Sequence, residues 1–82
     1  MEKNTIIFSN TDEIKRKTVQ EILSQVFDAL QEKGYDPVGQ IVGYITSGEL
    51  SYITSYRDAR KLIRQVERDE LVEVMLKNFL GK

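Results

Sequence analysis

Gly34-Tyr-Asp-Pro-Val-Gly-Gln-Ile-Val-Gly-Tyr-Ile-Thr-Ser-Gly48 decides how the rest of the chain is organised. It contains the only proline, Pro37, and four of the five glycines. Gly34 suits the positive φ that closes a helix at the C′ position. Asp36-Pro37 reads as the start of the next one, with a carboxylate at the N-cap and a proline at N1, where its missing N–H costs nothing. Gly39 and Gly43 are four apart, so on a helix they bare one face and let another backbone come close. Each costs about 1 kcal/mol of helix propensity relative to Ala. Two readings stay open: a loop with a frayed turn, or a short buried helix over 37–47. The helix would contribute Ile41, Val42 and Ile45 to a core and end at Gly48.

Upstream, residues 12–33 carry a helical period. Val19, Ile22, Leu23, Val26, Phe27 and Leu30 recur at i, i+3, i+4 and i+7, and charged or amide residues fill the opposite face. Thr11 or Asn10 is the expected cap, with Asp12 and Glu13 in the first turn, where the helix dipole favours acids. Residues 1–11 show no such period and are expected to be a mobile arm. Thr5, Ser9 and Thr11 are its hydroxyls.

Downstream, Ser55-Tyr-Arg-Asp58 has the spacing of a capping box. The helix expected over 55–68 places Ala59, Leu62, Ile63 and Val66 inside. Its other face holds Arg57, Arg60, Lys61, Arg64 and Arg68, with Arg60, Arg64 and Arg68 forming one ridge at intervals of four. Guanidinium suits bidentate capture of carboxylate or phosphate. A solvated face with local ion pairs, such as Arg64 with Glu67, is the plainer account. After Val66 the apolar phase slips onto Asp69 and Glu70. A break is therefore expected at 67–69, with Asp69 as a possible N-cap and a last helix over 70–80 ending at Gly81. The connector 49–54 has room for one helical turn.

The whole is an all-α chain: a compact bundle of four to five short helices over 12–82, behind the arm 1–11. At 82 residues, with no cysteine or histidine, it has neither disulfide nor the usual zinc ligands to staple a small core. Self-association is the remaining staple, so a homodimer is expected. Its two-fold contact is placed at Gly39, Gly43, Ile41 and Tyr44. No apolar run is long enough for a signal peptide or a membrane span, which makes a cytoplasmic location the default.

Nothing in the sequence assembles an active site. No recognisable base stands with the serines and threonines, and the glycines match no phosphate-binding loop. No enzyme, metal or cofactor is expected. A net charge of −1 argues against bulk affinity for nucleic acid. A small helix-turn-helix-like DNA binder using the basic helix 55–68 is the alternative to an interaction protein.

The stretch 34–48, then Tyr52-Ile53, then Asp-Ala-Arg-Lys-Leu-Ile-Arg-Gln-Val-Glu-Arg-Asp-Glu over 58–70, resembles the IreB/ReoM family of small regulators from low-GC Gram-positive bacteria. The resemblance is dense over about half the chain. It implies an all-helical dimer whose N-terminal threonine is phosphorylated by the Ser/Thr kinase with extracellular PASTA repeats. It also implies a protein that restrains peptidoglycan synthesis and sets tolerance of cell-wall antibiotics. In part of the family this works through Clp-dependent degradation of the enolpyruvyl transferase that starts the pathway. The family arm, a threonine followed by apolar residues and an acidic pair, falls on Thr5-Ile6-Ile7-Phe8 and Asp12-Glu13, making Thr5 the phosphoacceptor ahead of Ser9 and Thr11. The family's helical arginines fall on Arg60, Arg64 and Arg68. The chain departs from the family at Gly48-Glu49-Leu50, where Gly-Asp-Pro is usual. It departs again at Ser55, often basic in the family, with Arg57 two places on.

Overall fold

A computed structural model of the chain describes the backbone of residues 2–82 and the side chains of residues 13–82. Among these residues there are four α-helices: α1 (Glu2–Glu32), α2 (Pro37–Ser47), α3 (Ala59–Arg64) and α4 (Arg68–Leu80). Two 3-10 turns, Leu50–Tyr52 and Tyr56–Asp58, lie between α2 and α3. The all-α architecture matches the reading of the sequence. The bounds of α1 begin earlier than the expected 12, in a stretch with neither glycine nor proline to interrupt a helix. The expected mobile arm, with Thr5, Ser9 and Thr11, lies outside the residues whose side chains are described.

α1 is the spine, and α2, α3 and α4 all pack on it. It buries Val19, Ile22, Val26, Ala29 and Leu30, which continue the expected stripe. They meet Ile41 and Tyr44 of α2, Ile53 of the connector, Ala59 and Ile63 of α3, Val66, and Leu71 and Val74 of α4. A side chain such as Leu30, with no exposed surface, contributes about 1.5–3 kcal/mol by burial. Leu23 and Phe27 are only half-buried. Val42, expected inside, is 52 % exposed, and its place in the core is taken by Tyr44.

The glycine-rich stretch reads out as helix, not loop. Gly34 has φ 85, and the N–H groups of Gly34 and Tyr35 donate to the carbonyls of Gln31 and Leu30 at 3.0 Å each. This is a Schellman closure of α1. Pro37 stands at the start of α2 after Asp36, whose backbone carbonyl accepts from Gln40 N–H. The Asp36 carboxylate makes no capping bond. Gly48, at φ 78, closes α2 by donating to the Tyr44 carbonyl at 2.7 Å.

The helix expected over 55–68 does not form as one piece. Ser55 does not cap, and Arg57 and Asp58 adopt φ of 56 and 61, so α3 starts only at Ala59. The break before the last helix falls at 65–67, slightly earlier than 67–69. Glu67, not Asp69, is the N-cap of α4, and the Glu70 carboxylate reaches back to the Glu67 N–H at 3.3 Å. Gly81 ends α4 as expected, at φ 73.

Candidate functional site

The expected arginine ridge needs one continuous helix, and the break at 65–67 removes it. Each arginine has its own local setting. Arg60 donates from Nε to the carbonyl of Ile53 at 2.6 Å, tying α3 to the buried end of the connector. Both of its Nη groups remain as donors. Arg68 opens α4 and donates from Nη1 to the carbonyl of Ile45 at 2.9 Å. It places a cation on the last turn of α2, where the helix dipole is negative. Its guanidinium lies over Gly48, where a Cβ would come within 2.9 Å of Cζ. Arg57 pairs with Glu32 at the end of α1, Nη1 to Oε2, at 2.6 Å.

Arg64 is different. It is exposed, and among the described residues it makes no ion pair or hydrogen bond, the expected one with Glu67 included. Lys61, three residues earlier on the same face of α3, is also exposed. Arg64, Lys61 and the Nη groups of Arg60 make α3 a small basic surface with unspent donors. The basic helix that the DNA-binding alternative would use over 55–68 is cut to the six residues of α3, and Arg57 is turned onto Glu32.

Tyr56-Arg57-Asp58 is held against the C-terminal end of α1. Tyr56 Oη donates to Glu32 Oε1 at 2.9 Å while Arg57 takes Oε2, so one carboxylate engages both residues. Lys33 Nζ sits 4.9 Å from the centre of the Tyr56 ring, a cation–π contact. Glu32, by its hydrogen bond and then its charge, pushes the Tyr56 phenol above its ordinary value; Arg57 opposes this more weakly. Two successive non-glycine residues at positive φ cost on the order of 1–2 kcal/mol each. Sequence pattern did not show this, because it depends on Glu32 and Tyr56, 24 positions apart, meeting in space.

A second surface is apolar. Val42, Ile45, Thr46, Val72, Met75, Leu76 and Phe79 line a groove of about 370 Å³ between α2 and α4. It runs into a second hollow of about 240 Å³ reaching Leu23, Phe27 and Val38. Phe79 is 86 % exposed, and Val38, Val42 and Leu76 are each more than half exposed. Monomeric soluble proteins rarely leave so continuous an apolar face open. The signal for it was present in the sequence as Val72, Leu76 and Phe79 at i, i+4 and i+7, beside the Leu71–Val74 stripe that enters the core.

The residues expected at a two-fold contact sit elsewhere. Ile41 and Tyr44 are buried in the chain's own core. A Cβ on Gly43 would stand 2.5 Å from Cε1 of Tyr52, so the glycine admits a tyrosine ring of the same chain and not a second backbone. Gly39 lies under the Asp36 carboxylate, whose Oδ2 a Cβ would meet at 2.5 Å. The outward face of α2 is Val38 and Val42.

These features describe a small helical body with a basic face on α3 and an apolar face on α2 and α4. Residues 3–81 match the family described as IreB regulatory phosphoprotein. The chain belongs to that family. The match spans nearly its whole length and takes in every helix and both surfaces. An IreB-family protein is a regulator that carries phosphate, and a helical body offering separate basic and apolar faces is suited to such a role. No helix among the described residues is long and apolar enough to cross a membrane.

Proposed function

We propose that this chain is a non-enzymatic, cytoplasmic regulator of cell-wall synthesis, phosphorylated on Thr5 by a PASTA-type Ser/Thr kinase. Ser9 and Thr11 are the weaker candidates for the same phosphate. In its unphosphorylated form it restrains peptidoglycan synthesis through protein–protein contacts, steering the enolpyruvyl transferase that starts the pathway toward Clp-dependent degradation. It thereby sets tolerance of cell-wall antibiotics. The observation that carries this reading is the match to a family of regulatory phosphoproteins over residues 3–81. The kinase, the Clp step and the pathway come from the likeness of its motifs to that family.

The basic face of α3 supplies a physical route. Arg64 and Lys61 meet carboxylates on the partner, with Arg60 fixed beside them by its bond to Ile53. Phosphorylation adds about −1.5 to −2 charges to the N-terminal segment. That charge either occupies the arginines or repels the acidic partner, and both lower affinity without touching the core. The protein acts as a homodimer whose second copy covers the α2–α4 face. The exposure of Phe79, Leu76, Val42 and Val38 supports this.

The test is the Thr5→Ala chain in cells. It should restrain the pathway permanently, lowering the level of the enolpyruvyl transferase and sensitising cells to cell-wall antibiotics. Cells indifferent to Thr5→Ala would remove Thr5 from the mechanism.

A further inference from the structure

The sequence Ser55-Tyr-Arg-Asp58 and its structure disagree. The spacing is that of a helix N-terminal box, with Ser55 as cap and Asp58 at N3. The chain instead puts Arg57 and Asp58 at positive φ and leaves the Ser55 hydroxyl unused as a cap. Local preference and observed backbone conflict at this point, and such conflicts persist only where surrounding contacts over-determine the strained form. Beside the Lys33–Tyr56 cation–π contact, two of the contacts doing so converge on one side chain. Glu32 accepts from Tyr56 Oη at 2.9 Å and from Arg57 Nη1 at 2.6 Å. Glu32 is itself the last residue of α1, where the helix dipole disfavours a carboxylate unless a cation or donor answers it. Both sides of the contact are therefore held in unfavourable positions, and each relieves the other.

We propose that residues 55–58 are a two-state latch: Glu32, through Tyr56 and Arg57, holds Arg57 and Asp58 in the left-handed turn, and loss of that carboxylate's hold lets the segment join α3 as a helix starting at Tyr56. In the released state α3 is three residues longer. Arg57, Lys61 and Arg64 then stand at i, i+4 and i+7 on one helical face, so Arg57 joins the two cations already there, Lys61 and Arg64. An anion able to outbid Glu32 for Arg57, a phosphate or a partner carboxylate, shifts the equilibrium toward release and in return meets the fuller surface. The consequence for binding rests on the proposed role of the α3 face; the equilibrium itself does not.

The experiment is backbone NMR of the full chain, reading Cα shifts and HN–Hα couplings of Arg57 and Asp58. In the unmodified chain both should report positive φ. In Glu32→Ala both should move to right-handed helical values, with new helical contacts from Tyr56 to Arg60. Glu32→Ala combined with Asp58→Gly should return toward the turn, because glycine removes the penalty at positive φ. Inorganic pyrophosphate added to the unmodified chain should move the same resonances in the direction of Glu32→Ala. Left-handed values that survive Glu32→Ala would overturn the latch, and so would right-handed values in the unmodified chain. Asp58→Gly alone gives a second reading if the first variant does not fold. It should raise Tm by roughly 2–4 °C, and an unchanged or lower Tm would show that no strain is held there. Because these signals come from the free protein, they stand or fall separately from partner binding, which Arg64→Ala tests.

Discussion

The guanidinium of Arg68, the first residue of α4, donates to the carbonyl of Ile45 in the last turn of α2. This bond joins two helices that do not follow each other in the chain, and the flat head of Arg68 lies over Gly48, where no side chain obstructs it. Arg68 thus belongs to the scaffold, while Arg64, four residues earlier, has no partner among the described residues. The two arginines look alike in the sequence and should separate in experiment. Arg68→Ala should cost about 1 kcal/mol, the net value of one hydrogen bond from a charged donor at a helix end. Thermal unfolding should show a Tm lower by roughly 4–8 °C. Arg64→Ala should leave Tm within about 1 °C and weaken partner binding, a surface change of the kind that rarely moves stability. The reverse pattern would exchange their roles.

Gly43 gives way to the Tyr52 ring, and the cost of adding a methyl there should depend on that ring. Gly43→Ala puts a Cβ 2.5 Å from Cε1 of Tyr52. Displacing the ring should outweigh the gain of about 1 kcal/mol in helix propensity, for a net loss of about 1 kcal/mol. In a Tyr52→Ala background the same change should stabilise. Denaturant unfolding of the four chains gives the coupling directly. Equal effects in both backgrounds would mean that the ring does not rest on Gly43.

Lys15 and Glu70 join α1 to α4 at 2.5 Å. The Lys15 hydrogen bond, then the Glu67 backbone N–H, hold the Glu70 carboxyl below its ordinary value of 4.5. A depressed acid contributes stability that is present above its unfolded pKa and is lost as pH falls through the folded one. The Tm advantage of the parent chain over Glu70→Gln should therefore be full at pH 6–7 and close progressively below about pH 4.5. Calorimetric scans between pH 7 and 3 would show this; an advantage that grows on acidification would contradict the assignment.

The apolar face should respond to charge. Leu76→Glu places a carboxylate beside Val42 and Phe79 in the α2–α4 groove. Sedimentation equilibrium should then show a dimer in the parent chain and a monomer in the variant, with helicity by circular dichroism retained. A parent that sediments as a monomer at all concentrations would assign this face to another partner.

Much of the fold was legible because the signals were local. Gly34, Pro37, Gly48 and Gly81 mark helix ends through their own backbone preferences, and all four stand where those preferences place them. The stripe from Val19 to Leu30 needed only the helical period. What failed was whatever depended on contacts distant in sequence. Ser55-Tyr-Arg-Asp58 looked like a helix start because Glu32 was not part of the local pattern. The arginines at 60, 64 and 68 looked like one ridge because the phase slip after Val66 was placed two residues late. Gly39 and Gly43 were expected to admit another backbone, and they admit side chains instead. The neighbours turned out to be the Asp36 carboxylate and the Tyr52 ring, which no periodicity could name. The apolar face was visible as residues, and only the packing of α4 showed which of its two stripes stays outside.

Phosphate on the N-terminal segment is the proposed switch of this helical body. The direct measurement is intact mass with fragmentation after incubation with a PASTA-type kinase domain and ATP. A single added phosphate is expected, on Thr5 and absent from Thr5→Ala. No added phosphate, from a kinase active on a control substrate, would contradict it and leave a helical interaction module without that switch.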